Sequence, residues 1–313
     1  MTNIKNMYFY YNTFYIIIFV RGDFVDKLID MHVHTNYSDG QFSPYEVIKL
    51  GIDVGVGVMA ITDHDTLDGI KKVDRNKDFI RESGIKIVNG IEISAHSDTG
   101  TMHILGYDID LNNKELNNKL EELRTNRMNS TLAVMEQIRR DYGITFSYCD
   151  IIELVNSKHV GRPGLAKLCV KYGFSDSRND AFVNFLNPAK EKVRKYSKNL
   201  FYPEVFKLVK DAGGIVILAH PKTLKLFDDE LEKLISNMKG YDLDGIEIYN
   251  SIHALDDVKY YKYLADKYNL LISGGTDFHG PLVKPNIEIG TGYGNIKIKS
   301  LSLVDELKKR GTL

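Results

Sequence analysis

From Lys27 onward, short apolar runs alternate regularly with longer amphipathic segments, and this rhythm limits the chain to a small group of folds. It predicts an α/β fold in which largely parallel strands are joined by helices. The predicted strands are Leu28–His34, Val58–Thr62, Ile85–Ile93, Met102–Ile109, Gly214–Ala219, Gly245–Tyr249 and Leu271–Gly274. The predicted helices between them are Pro44–Asp53, Thr66–Ser83, Tyr202–Ala212, Asp228–Met238 and Ala254–Tyr268.

The rhythm breaks between about Asn112 and Asn199. The segment Asn112–Tyr142 predicts one long charged helix, and shorter helical pieces follow it. We interpret residues 112–199 as an all-helical insertion subdomain within a domain formed by residues 25–111 and 200–313. A chain of 313 residues with 43% hydrophobic content can bury the core of one barrel-sized domain with an insertion, or of two domains.

The first 24 residues differ in composition from the rest. Their clean apolar run, Phe14–Val20, is shorter than the roughly 20 residues that a membrane-spanning helix needs, although a short anchor is an alternative. The segment Arg21–Asp23 can be encoded by a purine-rich ribosome-binding sequence, and Val25 by a GTG start codon. We therefore expect residues 1–24 to be a non-domain extension and the natural protein to begin near Val25.

Histidines and carboxylates collect at the ends of the predicted strands. In an α/β barrel the loops after the strands open onto one face, so these side chains are expected to converge there. His32 and His34 lie two apart in a strand and therefore point to the same side. Each motif alone would also fit a surface pair or a satisfied core group, but together they favour a metal site. The candidate ligands are His32, His34, Asp39, His64, Glu92, His103, His220, Asp277 and His279.

The ligand types and their number limit the choice of metal. Imidazole and carboxylate together suit Zn, Mn or Fe better than Ca. Nine candidate ligands exceed the three or four that one ion needs, so we expect two or three divalent ions that share a carboxylate. The net charge of −1 provides no global field for nucleic acid or a membrane. Cys149 and Cys169 form no CxxC motif and are typical of a reduced cytoplasmic protein.

Five motifs together resemble the polymerase and histidinol phosphatase (PHP) family. They are His32-Val33-His34 with Ser38-Asp39-Gly40, Ile61-Thr62-Asp63-His64-Asp65, Gly90-Ile91-Glu92-Ile93-Ser94, Leu218-Ala219-His220-Pro221 and Gly275-Thr276-Asp277-Phe278-His279. The likeness runs from Lys27 to about Gly292. It is strongest to the stand-alone PHP phosphoesterases with a helical insertion. That branch includes 3′,5′-nucleotide bisphosphate phosphatases and 5′-to-3′ exonucleases acting on short RNA.

The resemblance implies a distorted seven-stranded (β/α) barrel, (β/α)7, and a trinuclear metal centre. One ion would take His32, His34, Glu92 and Asp277; a second would share Glu92 and add His103 and His220; a third would take Asp39, His64 and His279. Asp30 and Asp63 are expected to orient neighbouring imidazoles as hydrogen-bond acceptors. The implied activity is hydrolysis of phosphate esters of nucleotides or short oligonucleotides by a metal-activated water.

The resemblance also suggests residues that meet the substrate. Members of the branch usually carry Arg-Pro-His in the insertion, and the Arg and His contact the substrate phosphate. Here Arg162 is kept, but Gly164 stands at the position of the histidine, which leaves the substrate open. His220 and Asp63 are candidate proton donors to the leaving group. Tyr249 and Asn250 are candidate pocket-lining residues.

Three other functions remain open from the sequence. One is a histidinol-phosphatase-like phosphomonoesterase that acts on a small molecule. Another is a metallohydrolase that cleaves C–N bonds, a class that typically uses a lysine at a strand end, where this sequence predicts none. The third is a metal-binding PHP module without catalytic activity.

Overall fold

The computed structural model describes residues 27–156, 160–193 and 199–313, so the predicted extension 1–24 lies outside the described residues. Seven strands form one sheet in chain order. They are β1 (Leu28–Val33), β2 (Val56–Ile61), β3 (Lys86–Ala95), β4 (Met102–Tyr107), β5 (Ile215–Leu218), β6 (Gly245–Tyr249) and β7 (Leu271–Gly274). All seven predicted strands are present, with ends displaced by at most two residues.

One strand runs against the others. The pairs β1–β2, β2–β3, β5–β6 and β6–β7 are parallel, whereas β4 is antiparallel to both β3 and β5. The start of β4 therefore lies at the same end of the sheet as the carboxyl ends of the other strands. This reversal brings His103, the second residue of β4, opposite Ser94 near the end of β3.

The sheet closes where β1 meets the segment that follows β7. The N–H of Asp277 donates to the carbonyl of His32 at 2.8 Å, and the N–H of His34 donates to the carbonyl of Phe278 at 2.9 Å. A Cβ at Gly275 would lie 2.3 Å from the backbone nitrogen of His32, so only glycine permits this approach. The fold is therefore the expected α/β type, a distorted seven-stranded barrel.

Twelve α-helices accompany the strands in the described residues. They are α1 (Pro44–Asp53), α2 (Asp68–Lys71), α3 (Asp78–Ser83), α4 (Lys114–Tyr142), α5 (Tyr148–Asn156), α6 (Arg162–Lys171), α7 (Arg178–Ala181), α8 (Asn187–Lys192), α9 (Tyr202–Asp211), α10 (Asp228–Lys239), α11 (Leu255–Lys267) and α12 (Ser302–Lys309). Within the described part of the chain, no helix is both long and apolar enough to span a membrane.

The prediction of one helix over Thr66–Ser83 is wrong, because two short helices, α2 and α3, occupy this segment. Between them the Asp74 carboxylate accepts the N–H of Asn76 at 2.9 Å. Such a local side-chain bond gives the backbone an alternative to the helical hydrogen-bond pattern. Helix α12 was not predicted from the sequence.

Two apolar layers enclose the barrel strands. The outer layer packs the helices onto the sheet and includes Val33 of β1 and Ile91 of β3. The inner layer fills the barrel and includes Met31 and Tyr107, which are fully buried. Leu303 and Leu307 of α12 belong to this inner layer, so the C-terminal helix contributes directly to the barrel core.

The predicted helical insertion corresponds to α4–α8, which lie between β4 and β5 along the chain. These helices have a core of their own, to which Val134, Ile138 and Leu165 belong. The first turns of α4 are different, because Leu116 and Leu120 pack into the outer layer of the barrel. Helix α4 is therefore one continuous element shared by both cores.

Candidate metal centre

The candidate ligands from distant parts of the sequence converge at the carboxyl end of the barrel. Three overlapping groups each bring their ligand atoms within 4.8 Å of one another. The groups are His32, His34, Glu92 and Asp277; His34, Asp39, His64 and His279; and His64, Glu92 and His103. His220 joins the last group, because its Nε2 lies 2.8 Å from Glu92 Oε1. The structure thus brings all nine predicted residues together.

The grouping differs slightly from the division that the resemblance implies. The first group contains the same four residues. His34 also belongs to the group of Asp39, and His64 also belongs to the group that includes His103. Glu92 is shared between groups, as a bridging carboxylate must be. The assignment of residues to particular ions stays a prediction.

Four of the imidazoles are held by their Nδ1 atoms. The Nδ1 of His32 lies 2.9 Å from Glu247 Oε1, and that of His279 lies 2.8 Å from the carbonyl of Asp277. A carbonyl oxygen can only accept, so Nδ1 of His279 carries the proton. The Nδ1 atoms of His34 and His220 face the hydroxyls of Ser38 at 3.2 Å and Thr223 at 2.9 Å.

The opposite nitrogens of these four rings face carboxylate oxygens. Nε2 lies 3.2 Å from Glu92 Oε2 in His32, 3.0 Å from the same oxygen in His34, and 2.8 Å from Glu92 Oε1 in His220. In His279 it lies 3.1 Å from Asp39 Oδ1. The lone pair of an imidazole nitrogen and that of a carboxylate oxygen repel each other at these distances unless a proton or a metal ion lies between them. Anchored Nδ1 atoms with Nε2 atoms facing inward are typical of metal ligands.

Buried atoms without hydrogen-bond partners also indicate that the cluster binds metal ions. Among the described residues, six buried side-chain nitrogen or oxygen atoms have no hydrogen-bond partner, and four of them lie in the cluster. These four are Asp39 Oδ1, His64 Nδ1, Glu92 Oε2 and Asp277 Oδ1. Buried polar atoms without partners are costly, and metal coordination would satisfy all four. The residues therefore fit divalent metal ions.

The electrostatics of the cluster favour cations. At Asp39, Glu92 and Asp277, burial would raise the pKa, but the surrounding imidazoles, joined at Asp277 by Lys284, hold it well below the ordinary value. Burial also opposes the charge of His34, yet the surrounding carboxylates raise its pKa to about 9. Burial prevails at His64, whose pKa lies well below the ordinary value. The carboxylates thus stay anionic and attract positive charge, whether protons or metal ions.

Glu247 supports the cluster from β6, and the sequence did not assign it a role. Besides facing His32, its carboxylate accepts the backbone N–H of His220 at 2.7 Å and the amide of Asn250 at 3.0 Å. It is fully buried. One carboxylate therefore positions two candidate ligands from different strands.

Both carboxylate oxygens of Asp63 are occupied by hydrogen bonds, and its role as a proton donor to the leaving group stays a prediction. Its Oδ1 accepts the N–H of Thr35 at 2.7 Å and the hydroxyl of Ser38 at 2.6 Å, while its Oδ2 accepts the hydroxyl of Thr35 at 2.7 Å. With these donors in place, Asp63 positions His34 indirectly, through Ser38.

Asp30 also differs from its expected role. Its carboxylate accepts the N–H and the hydroxyl of Thr276, at 2.8 and 2.7 Å, and the N–H of Gly290 at 2.8 Å. None of its hydrogen bonds in the described residues involves an imidazole. It ties the loop that carries Asp277 to β1.

The candidate substrate-binding residues, Arg162, Tyr249 and Asn250, are not among the groups of candidate ligands. The Nη1 of Arg162 donates to Asn187 Oδ1 at 2.9 Å, a contact within the insertion. The amide of Asn250 is engaged by Glu247 and by the N–H of Ile252. The ring of Tyr249 lies 5.2 Å from Nζ of Lys262 in α11. Tyr249 and Asn250 thus have structural contacts, and their place in a substrate pocket stays a prediction.

Two basic residues near the cluster were missed from the sequence. Lys284 donates to Asp277 Oδ2, and Arg127 of α4 pairs with Asp65 and donates to Ser94 Oγ at 3.3 Å. Lys284 follows the Gly275–His279 motif closely enough to have been suspected. Arg127 lies in a charged helix with nothing to distinguish it from the other basic residues there.

A cavity of about 300 Å³ opens beside His64, between the barrel loops and α4. Its apolar lining includes Leu67, Leu120 and Val160, all of them buried. Tyr37, Asp68, Asn117, Arg124 and Arg127 are among its polar lining residues. The volume and the mixed lining are typical of a small-molecule site.

Comparison with known proteins gives consistent similarities. A sequence model of the family described as PHP domain matches residues 30–270. A 5′-3′ exoribonuclease of Haemophilus influenzae is 29% identical over 281 residues, which cover 90% of this chain and 97% of that protein. A 3′,5′-nucleoside bisphosphate phosphatase of Chromobacterium violaceum is 28% identical over 258 residues, covering 81% and 87%. A solved structure from Bifidobacterium adolescentis, described as a putative metal-dependent phosphoesterase, aligns with a TM-score of 0.72 at 27% identity, covering 90% and 96%.

Proposed function

This chain belongs to the PHP domain family of phosphoesterases, and on that basis we propose that it hydrolyses phosphate esters of nucleotides or short oligonucleotides. The observation that carries the proposal is the cluster of inward-facing imidazoles around Glu92, Asp39 and Asp277, with four buried atoms that lack partners. Two relatives similar over most of their length act on RNA or on nucleoside bisphosphates, as their names state.

The proposed ligands are the nine residues named from the sequence. Divalent ions held there, for which we propose Mn, Zn or Fe, would supply an acidified water as nucleophile and would neutralise charge on the phosphate oxygens. The protein's own contribution is rigidity. Glu247, Ser38 and Thr223 hold the rings of His32, His34 and His220, so that little reorganisation is needed when charge develops during the reaction.

The cavity beside His64 supports a substrate larger than a simple phosphate ester. Its apolar residues suit a base, and its polar residues suit ribose hydroxyls. Arg162 is a proposed phosphate contact from the insertion. Burial lowers the pKa of Arg127 most, the charge of Asp39 opposes this effect, and the charge of Arg162 lowers the pKa further. The two guanidinium groups therefore repel each other, and a phosphate bound near both would lessen this repulsion.

The proposed compartment is the cytoplasm, where free thiols persist, because Cys149 and Cys169 are both unpaired. Histidinol phosphate is the alternative substrate. No contact in the described residues favours it over a nucleotide, and the departure at Gly164 leaves the choice to experiment.

A substrate panel tests the proposal. The protein is loaded with Mn, Zn or Fe, and the release of phosphate or nucleotide is measured with 3′,5′-bisphosphoadenosine, a 5′-phosphorylated RNA and histidinol phosphate. We expect the highest kcat/KM with one of the first two substrates and no turnover after chelation. A higher value with histidinol phosphate would replace the proposed substrate class. Absence of turnover with every metal would overturn the catalytic function itself.

A further inference from the structure

Lys284 lies in a tightly held loop at the edge of the cluster. The N–H groups of Val283 and Lys284 both donate to the carbonyl of Gly280, at 3.0 and 2.9 Å. The side chain of Gln41 accepts the N–H of Leu282 at 3.1 Å. Gly280 has a φ of +87°, a conformation that favours glycine. The direction of the Lys284 side chain is therefore set by a well-bonded turn.

The two carboxylate oxygens of Asp277 face different groups. Asp277 Oδ2 accepts from Lys284 Nζ, whereas Oδ1 lies 3.4 Å from His34 Nε2 and 3.6 Å from His32 Nε2 and has no hydrogen bond. Asp277 has a φ of +56°, so its backbone is strained into the left-handed region. Oδ1 thus faces His32 and His34, and Oδ2 faces the ammonium of Lys284.

The position of Lys284 relative to solvent differs from that of the candidate ligands. Its side chain is 35% exposed, whereas those of Asp277 and His34 are 8% and 0% exposed. Its ammonium forms an ion pair with Asp277 Oδ2. The side chain is thus a cation at the open edge of the cluster.

We propose that Lys284 binds a non-bridging oxygen of the substrate phosphate. This inference rests on the proposed phosphoesterase function and adds a residue of the chain itself to the phosphate site. An ammonium has three donors, and Asp277 engages one of them, which leaves two for an anion entering from solvent. Because Asp277 holds the ammonium in place, little side-chain entropy is lost when the phosphate binds.

A similar ion pair elsewhere provides a matched control. Nζ of Lys210 lies 2.6 Å from both carboxylate oxygens of Asp244, and the Lys210 side chain is 32% exposed. Asp244 directly precedes β6, so this pair lies at the end of the barrel opposite the cluster. Lys210→Met removes a half-buried lysine from an aspartate without touching the site.

The test measures binding of inorganic phosphate to the metal-loaded protein by calorimetry, and KM and kcat for p-nitrophenyl phosphate. Metal content is determined by elemental analysis, so that each variant is compared at full loading. We expect Lys284→Met to weaken phosphate binding and to raise KM, each by about tenfold or more, because a charged hydrogen bond is lost. Lys284→Arg should restore part of the binding, and Lys210→Met should leave it unchanged.

Phosphate binding by fully loaded Lys284→Met equal to that of the wild type would overturn the proposal and leave Lys284 as a partner of Asp277 alone. If this variant does not fold, Lys284→Gln serves the same comparison. Failure of the proposed function would look different, because the wild-type protein would then hydrolyse no phosphate ester with any metal.

Discussion

The carboxyl end of the barrel and the helical insertion are built differently, although both face the candidate site. At the barrel end, buried side chains from six strands and their loops converge, and most have both a fixed partner and an inward-facing atom. The insertion packs around a separate core and carries the candidate Arg162, whose guanidinium contacts Asn187 and the ring of Phe182, both within the insertion. This difference suggests that the barrel determines whether reaction occurs and that the insertion determines which substrate reacts.

The largest expected effect is at the barrel end. Asp277→Ala removes a candidate ligand and should lower kcat/KM for the best substrate by about 10³-fold or more. It should also lower the number of bound metal ions in elemental analysis. Asp305→Ala, in α12, is the control and should behave as the wild type. Full metal content and full activity in Asp277→Ala would contradict the view that the barrel end determines whether reaction occurs.

Glu247→Gln tests the support of the ligands rather than a ligand. The substitution keeps the size of the side chain but removes the charge that faces Nδ1 of His32. We expect metal affinity, measured by titration with a competing chelator, to fall by about 10- to 100-fold. The exposed Glu288→Gln is the matched variant. Unchanged affinity in Glu247→Gln would show that the position of His32 does not depend on this carboxylate.

Arg162→Gln is the corresponding test of the insertion. Loss of a charged phosphate contact should raise KM by about tenfold, with metal content unchanged. The control is Arg140→Gln, at an exposed position of α4, which is expected to leave KM unchanged. A fall in metal content without a change in KM would contradict the view that the insertion affects substrate binding and not the metal centre.

Leu120→Phe tests the boundary between the barrel and the insertion. Leu120 lies in α4, lines the cavity and belongs to the outer layer of the barrel. A larger side chain should exclude a nucleoside more than a small leaving group. We expect the ratio of kcat/KM for 3′,5′-bisphosphoadenosine to that for p-nitrophenyl phosphate to fall by about tenfold. Asn118→Phe, on the exposed side of α4, should preserve the ratio. An unaltered ratio in Leu120→Phe would argue against the cavity as a nucleoside site.

The smallest expected effect on catalysis comes from the core of the insertion. Val134→Ala creates a cavity there and should lower the free energy of unfolding by about 1–3 kcal/mol, measured by denaturant titration. Val183→Ala, at a position that is 58% exposed, should change it by less than about 0.5 kcal/mol. Metal content should stay the same in both. Loss of metal in Val134→Ala would couple the two regions more closely than their separate cores suggest.

Much of the fold follows from local signals. Helix α1 spans the predicted residues, and its start is marked by the capping box of Ser43 and Glu46 and by Pro44 in the first turn. The nine candidate ligands could be named from the sequence because each lies in, or just after, a predicted strand. The break in Thr66–Ser83 was missed, since a side-chain bond between Asp74 and Asn76 competes with a helix that the composition alone favours.

The sequence by itself predicted the strands, the helical segment between β4 and β5 and the nine candidate ligands, because these depend on periodicity and on residues near one another along the chain. Only the tertiary structure revealed the reversal of β4, the contacts of Glu247 with His32 and His220, and the contact of Lys284 with Asp277. Glu247 meets His32 across 215 positions. Such contacts depend on the pairing of strands and on the closure of the barrel, which no local pattern encodes.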